Sequence, residues 1–232
     1  VLPEVTEGST ALIGEGIYHP FVDDAVPNPL HVDQPKRLFF LTGPNMAGKT
    51  TYLRACGIAA YLAHLGMGVP ARSFRFAPCE SLFTSISLAD NVREGISFFQ
   101  AEALRMKTIA RAVADGRRVI AFLDEPFMGT NVKDALDASR AVLTRLAHKE
   151  DSIFLVSSHL IELGEPLQET GRVDCHRFDA NERGGRLEFD YLLRPGISTQ
   201  RLGLRVLKEH GVFDLLDHDS RGNEETGQWL GE

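Results

Sequence analysis

The chain has 232 residues, 43% of them hydrophobic, enough to bury one sizeable core arranged as one or two domains. Charged residues make up 25%, an ordinary globular share that excludes a disordered chain. The formal net charge of −7 argues against a surface that grips DNA by itself, so any nucleic-acid role rests on a local patch or on residues outside this chain.

Residues 1–37 mix short apolar alternations with Pro and Gly. Ala11-Leu12-Ile13 and Ile17-Tyr18 read as short strands, while His19-Pro20 and Pro27-Asn28-Pro29 read as turns. Leu38-Phe39-Phe40-Leu41 is a compact apolar run of the kind that forms a strand buried on both faces. A Gly-rich loop follows, then a helix from Thr51 to Leu65 with Leu53, Cys56, Ala60 and Ala63 at helical spacing. Short strands are expected at Ser73–Phe76 and Leu82–Ser87, and a helix over about 98–114 behind Ser97. Val119–Leu123 is a second buried strand, closed by Asp124-Glu125, and a third helix runs from Lys133 to His148. Ile153–Val156 is a third buried strand, ending at Ser157-Ser158-His159. Asp174–Asp179 and Arg186–Leu193 read as an antiparallel pair joined by residues 181–185, and Leu202–Leu216 as one final helix. The recurrence of strand, loop and helix predicts an α/β fold with a mostly parallel sheet flanked by helices and antiparallel β additions. Residues 1–37 form a β-rich N-terminal part, 38–216 the core, and 217–232 a polar tail. The cysteines Cys56, Cys79 and Cys175 are odd in number and lack metal-ligand spacing, which suits reduced thiols of a cytosolic protein. No apolar run approaches the ~18–20 residues of a membrane helix, and no signal peptide opens the chain. The chain opens on Val1, as a piece of a longer protein would.

Residues 43–50, Gly43-Pro44-Asn45-Met46-Ala47-Gly48-Lys49-Thr50, fit the pattern Gly-x-x-x-x-Gly-Lys-Thr. Glycines let the backbone curl so that N–H groups point at phosphate oxygens. The helix that follows adds the positive end of its dipole. Lys49 is positioned to reach the β- and γ-phosphates, and the Thr50 hydroxyl to ligate Mg²⁺. Asp124 and Glu125 stand at the carboxyl end of a buried strand, the sheet edge where ligands bind in such folds. There Asp124 suits a Mg²⁺ held through its water shell, and Glu125 suits orientation of an attacking water. The bland alternative makes the two acids an N-cap pair for the next helix. His159 ends the third buried strand at the same edge, within reach of a γ-phosphate or its attacking water. Ser97 is a helix N-cap or an anion site, and its sequence supports both readings.

With those residues in place, the chain resembles the MutS family of DNA mismatch-repair ATPases. Thr42 to Arg54, with Asn45-Met46 inside the loop, closely resembles the family's phosphate-loop segment. Gly16 to Pro20, Ser97 to Glu102, Leu123 to Asn131, Ser158-His159 and Gly196 to Leu204 resemble its further motifs in the same order, covering about residues 10–213. The resemblance implies an ABC-type P-loop NTPase that binds ATP or ADP with Mg²⁺ and works as a dimer with a second copy of itself. Each nucleotide would be held by the loop of one copy, Gly43 to Thr51, and by Ser97 of the other, with Gly129-Thr130-Asn131 touching the partner. Ala25-Val26 falls where the family often has an aromatic adenine platform, so Val26 implies aliphatic packing on the base. Asp90-Asn91 partly retains an acidic site for Mg²⁺ or water. Pro126-Phe127-Met128 departs from the family's Ile-Gly-Arg, which marks a divergent member. The resemblance also implies DNA contact through regions outside this chain, other mismatch-repair proteins as partners, and a cytoplasmic location, nucleoid-associated in a bacterium. A transporter or SMC-like ATPase would carry a Leu-Ser-Gly-Gly-Gln-type signature, which is absent here. A nucleotide-gated dimerisation module with little hydrolysis is the further alternative, and intact Lys49, Thr50, Asp124, Glu125 and His159 argue against it.

Overall fold

The computed structural model describes residues 1–86, 98–183, 186–200 and 202–217. Its centre is a six-stranded sheet in the order β12 (Arg194–Pro195), β9 (Val173–Arg177), β4 (Leu38–Thr42), β8 (Ile153–Ser158), β7 (Val119–Asp124), β6 (Ser81–Ser85). All neighbours run parallel except β12 against β9. Every residue of β4 and β8 is buried. Alternation sorts them: Phe39 and Leu41 enter one core, Leu38 and Phe40 the other. The first core holds α1 (Lys49–His64) and the second holds α2 (Phe98–Ala114) and α3 (Val132–Ala147). Helices on both faces explain why these strands read as continuous apolar runs rather than as alternating ones.

A second sheet, in the order β1 (Glu4–Val5), β5 (Ser73–Phe76), β2 (Leu12–Ile17), β3 (Asn28–Val32), closes over α1. That helix buries Ala55, Cys56, Gly57, Ala59, Ala60 and Ala63, small residues that suit a helix enclosed between two sheets. Arg37, fully buried, ties the sheets at the other edge by donating from Nη1 to the Thr10 carbonyl at 2.5 Å. Thr10 in turn donates to the Asp151 carbonyl at 2.7 Å.

Four sequence expectations are corrected. The two short stretches at 11–13 and 17–18 are one strand, β2, with a register irregularity between Gly14 and Ile17. Pro27-Asn28-Pro29 is not only a turn, because Asn28 opens β3; Pro29 is tolerated since β3 is the edge of its sheet. Strand β9 does not pair with 186–193 but lies parallel to β4, where Val173 and Cys175 are buried in the second core. The antiparallel pair is instead β10 (Ala180–Arg183) with β11 (Arg186–Phe189). The final helix is two helices, α5 (Gly203–Glu209) and α6 (Val212–Asp217), divided at Gly211 with φ of 67°. The remaining helix, α4 (Gly164–Gln168), follows a 3₁₀ turn after β8. The polar tail from 218 lies outside the described residues.

Candidate functional site

Strands β4, β7 and β8 end side by side, and their carboxyl ends deliver Gly43, Glu125 and His159 to one edge. The loop after β4 is held in conformations that only some residues accept. Gly43 has φ of 147°, and a Cβ there would lie 2.7 Å from the Phe178 carbonyl oxygen. Gly48, at φ of 100°, is the N-cap of α1 and provides no side-chain cap, which leaves the first-turn N–H groups facing outward. Met46 is also left-handed, with φ of 71°, and 72% exposed.

Lys49 is buried and turned back into its own loop. Its Nζ donates to the carbonyls of Gly43 at 2.9 Å and Pro44 at 3.3 Å, and lies 3.5 Å from Glu125 Oε1. Burial pulls its pKa below the usual lysine value, and the charges of Glu125 and Asp124 oppose that pull. Thr50 Oγ1 donates to Asp124 Oδ2 at 2.7 Å. The other Asp124 oxygen accepts from the Ser157 hydroxyl. Glu125 sits in the left-handed region at φ of 48°, its N–H donated to the Ser157 carbonyl at 3.0 Å. Its Oε2 is 3.0 Å from His159 Nδ1. That hydrogen bond, joined by the Lys49 charge, holds the Glu125 carboxyl below its ordinary range although burial opposes it. The same bond raises the His159 imidazole above its ordinary value. Lys49, Glu125 and His159 thus form a chain of polar contacts across the ends of the strands.

Behind Glu125, the buried carboxylate of Glu102 on α2 accepts the N–H of Phe127 at 2.8 Å and of Gly129 at 3.1 Å. Phe127, at φ of 67°, is held there in a second strained turn. The N-cap of α3 is Asn131, whose side chain accepts from Asp134 N at 3.0 Å, so Asp124-Glu125 is not the capping pair.

A cleft of about 520 Å³ opens beside the loop, lined by Ala25, Val26, Asn45, Lys49, Thr50 and Tyr191 among others. Its size suits a small organic ligand, whose pockets span about 300–1,000 Å³. Pro44, Met46, Gly48, Thr51 and Glu125 also line it. Asp124 and His159 stand one hydrogen bond further back, on Thr50 and Glu125. Ala47 is buried beneath the loop. Ser97 and Asp90 lie outside the described residues.

Sequence reasoning missed three contributors. Ser157 carried no signal beyond its place opposite Asp124 in the neighbouring strand. Glu102 was only a match within a motif, and its use as an acceptor for a distant loop requires the packing of α2. Tyr191 reaches the cleft because Asn28 pins its segment, donating to the Tyr191 carbonyl at 2.9 Å and accepting from Leu193 N at 2.7 Å. Its ring covers Gly48, where a Cβ would lie 3.1 Å from Tyr191 Cδ1.

The fold and this edge define the class: a mixed α/β domain with its candidate site at the carboxyl ends of parallel strands. The family model for MutS domain V matches residues 39–218. Over 224 residues, 95% of this chain, it is 31% identical to the DNA mismatch repair protein MutS of Aquifex pyrophilus. The chain belongs to the MutS family. It spans 26% of the length of that relative. Among the described residues, no helix is long and apolar enough to cross a membrane.

Proposed function

We propose that this chain is the ATP-binding and ATP-hydrolysing P-loop domain of a MutS-like protein. The observation that carries the reading is the grouping of Lys49, the Thr50–Asp124 pair and the Glu125–His159 pair around one cleft edge. In this reading Lys49 exchanges the carbonyls of Gly43 and Pro44 for phosphate oxygens, and its compact ammonium is the right donor for them. The loop N–H groups and the start of α1 bind the remaining phosphate charge. The purine lies in the cleft against Val26 and Tyr191.

Thr50 and Asp124 are the donor set for Mg²⁺, the aspartate acting through water. A hydroxyl and one carboxylate fit this ion, which takes its remaining ligands from phosphate and solvent. When bound, the ion neutralises charge on the phosphate oxygens. Glu125 orients the attacking water as base, and His159 both holds that carboxylate and faces the γ-phosphate. Ser97 completes the site of a second copy, so the sites are composite and hydrolysis is coupled to association. Mismatch repair or recombination control, through DNA-contacting regions outside this chain, is the biological setting the family suggests.

Glu125→Gln tests the reading, because it keeps shape and removes the base. ATP turnover should fall by about 100-fold or more, the usual share of a general base, while ATP still binds. Lys49→Ala should remove most of the binding itself, because the charge-assisted phosphate contacts vanish. Turnover unchanged in Glu125→Gln refutes the assignment of the base.

A further inference from the structure

We propose that Ser157 is a positioning residue that aims Asp124 at the metal side of the site, an inference that rests on the ATPase reading above. Ser157 is on β8, directly opposite Asp124 on β7, and its side chain is fully buried. A serine hydroxyl has one proton to give and two lone pairs to offer. Here the proton goes to Asp124 Oδ1, and the oxygen accepts from the Glu125 N–H at 3.3 Å. The Ser157 carbonyl takes the same N–H at 3.0 Å. One residue therefore fastens both members of the acidic pair.

The consequence lies in the torsion of the aspartate. The last torsion of an aspartate side chain has a broad, two-fold preference and does not choose an orientation by itself. With Oδ1 occupied by Ser157, the carboxylate plane is set and Oδ2 is the oxygen presented to Thr50, at 2.7 Å. The hydroxyl is thus an addition to the residues that would touch the metal: it selects which aspartate oxygen they share. A buried serine needs an acceptor whatever its role; what is particular here is that the acceptor is the aspartate whose other oxygen meets Thr50.

The experiment is a Mg²⁺ titration of the affinity for a fluorescent ATP analogue, for wild type, Ser157→Ala and Ser157→Thr, each also measured in EDTA. Ser157→Ala should raise the Mg²⁺ concentration at half-effect by about tenfold, the cost of one charge-assisted hydrogen bond. Its affinity in EDTA should stay at the wild-type value, and Ser157→Thr, which keeps the hydroxyl, should restore the Mg²⁺ response. Far-UV circular dichroism and thermal unfolding check that both variants fold; Ser157→Cys, similar in shape but a weak donor, replaces alanine if it does not, with the same expected shift. An unaltered Mg²⁺ response in Ser157→Ala overturns the proposal, as does an equal loss of affinity with and without the ion. A wild-type chain that fails to bind the analogue, or binds it without regard to Mg²⁺, overturns the ATPase reading first and this one with it.

Discussion

Replacing Glu102 by alanine should cost about 3 kcal/mol of stability, and the structure indicates where that comes from. The Phe127 N–H is buried and loses a charged acceptor at 2.8 Å, worth about 2 kcal/mol because nothing replaces it. The Gly129 N–H, 3.1 Å from the other oxygen, makes a part-buried contact and recovers some of its loss from water, leaving about 1 kcal/mol. Loss of the buried methylenes adds a fraction of their ~0.8 kcal/mol each, offset by the slightly better helix propensity of alanine. Glu102→Gln keeps one oxygen for Phe127 but turns an NH₂ group toward another donor, so about 1 to 1.5 kcal/mol is expected. Urea unfolding followed by far-UV circular dichroism measures both. The Pro126–Gly129 loop carries on directly from Glu125, so under the proposed ATPase function kcat should fall further than ATP affinity in either variant. A cost under about 1 kcal/mol for alanine, or glutamine as damaging as alanine, would refute the reasoning, since the two hydrogen bonds would then be worth little.

The remaining predictions concern the cleft and its chain of polar contacts. His159 is raised above its ordinary value of 6.5 and Glu125 lowered below 4.5, each chiefly by their mutual hydrogen bond. Their contribution to stability is therefore whole between pH 4.5 and 6.5. It is lost as pH rises through the raised His159 value, or falls through the lowered Glu125 value. The stability gap between wild type and His159→Gln should be about 0.5 kcal/mol in that window, kept small by solvent screening. It should shrink toward alkaline pH in urea titrations; a gap that widens there would contradict the pairing. Tyr191→Ala should weaken binding of an adenine nucleotide by about tenfold, in line with the loss of one base-stacking contact, whereas Tyr191→Phe should bind as wild type does. A fluorescence titration in which alanine and phenylalanine behave alike would remove Tyr191 from the ligand surface.

Much of the fold was legible because burial on both faces leaves a strong mark. Leu38–Leu41, Val119–Leu123 and Ile153–Val156 are unbroken apolar runs, and each became a central strand. The loop at 43–50 was legible for a different reason: glycine is needed at Gly43 and Gly48 by the backbone itself, so the requirement is written locally. The pairing of β9 was not. Val173 and Cys175 have the alternation of any half-buried strand, and nothing local says whether the long partner is β4 or the stretch 186–193. Nor did helical periodicity across 202–216 reveal the break at Gly211, since a glycine within a helical pattern is tolerated until its φ turns positive.

The sequence by itself determined which chemical groups stand at the strand ends: an ammonium, a hydroxyl, two carboxylates and an imidazole. Each follows a buried strand or a glycine turn within a few residues, and such local dependence survives in a linear string. Tertiary structure decided who holds them. Ser157 meets Asp124 across 33 residues, Glu102 meets Phe127 across 25, and Tyr191 meets Asn28 across 163. Those contacts depend on strand register and helix packing, which arise only when the two cores form, so their residues look ordinary until the chain is folded.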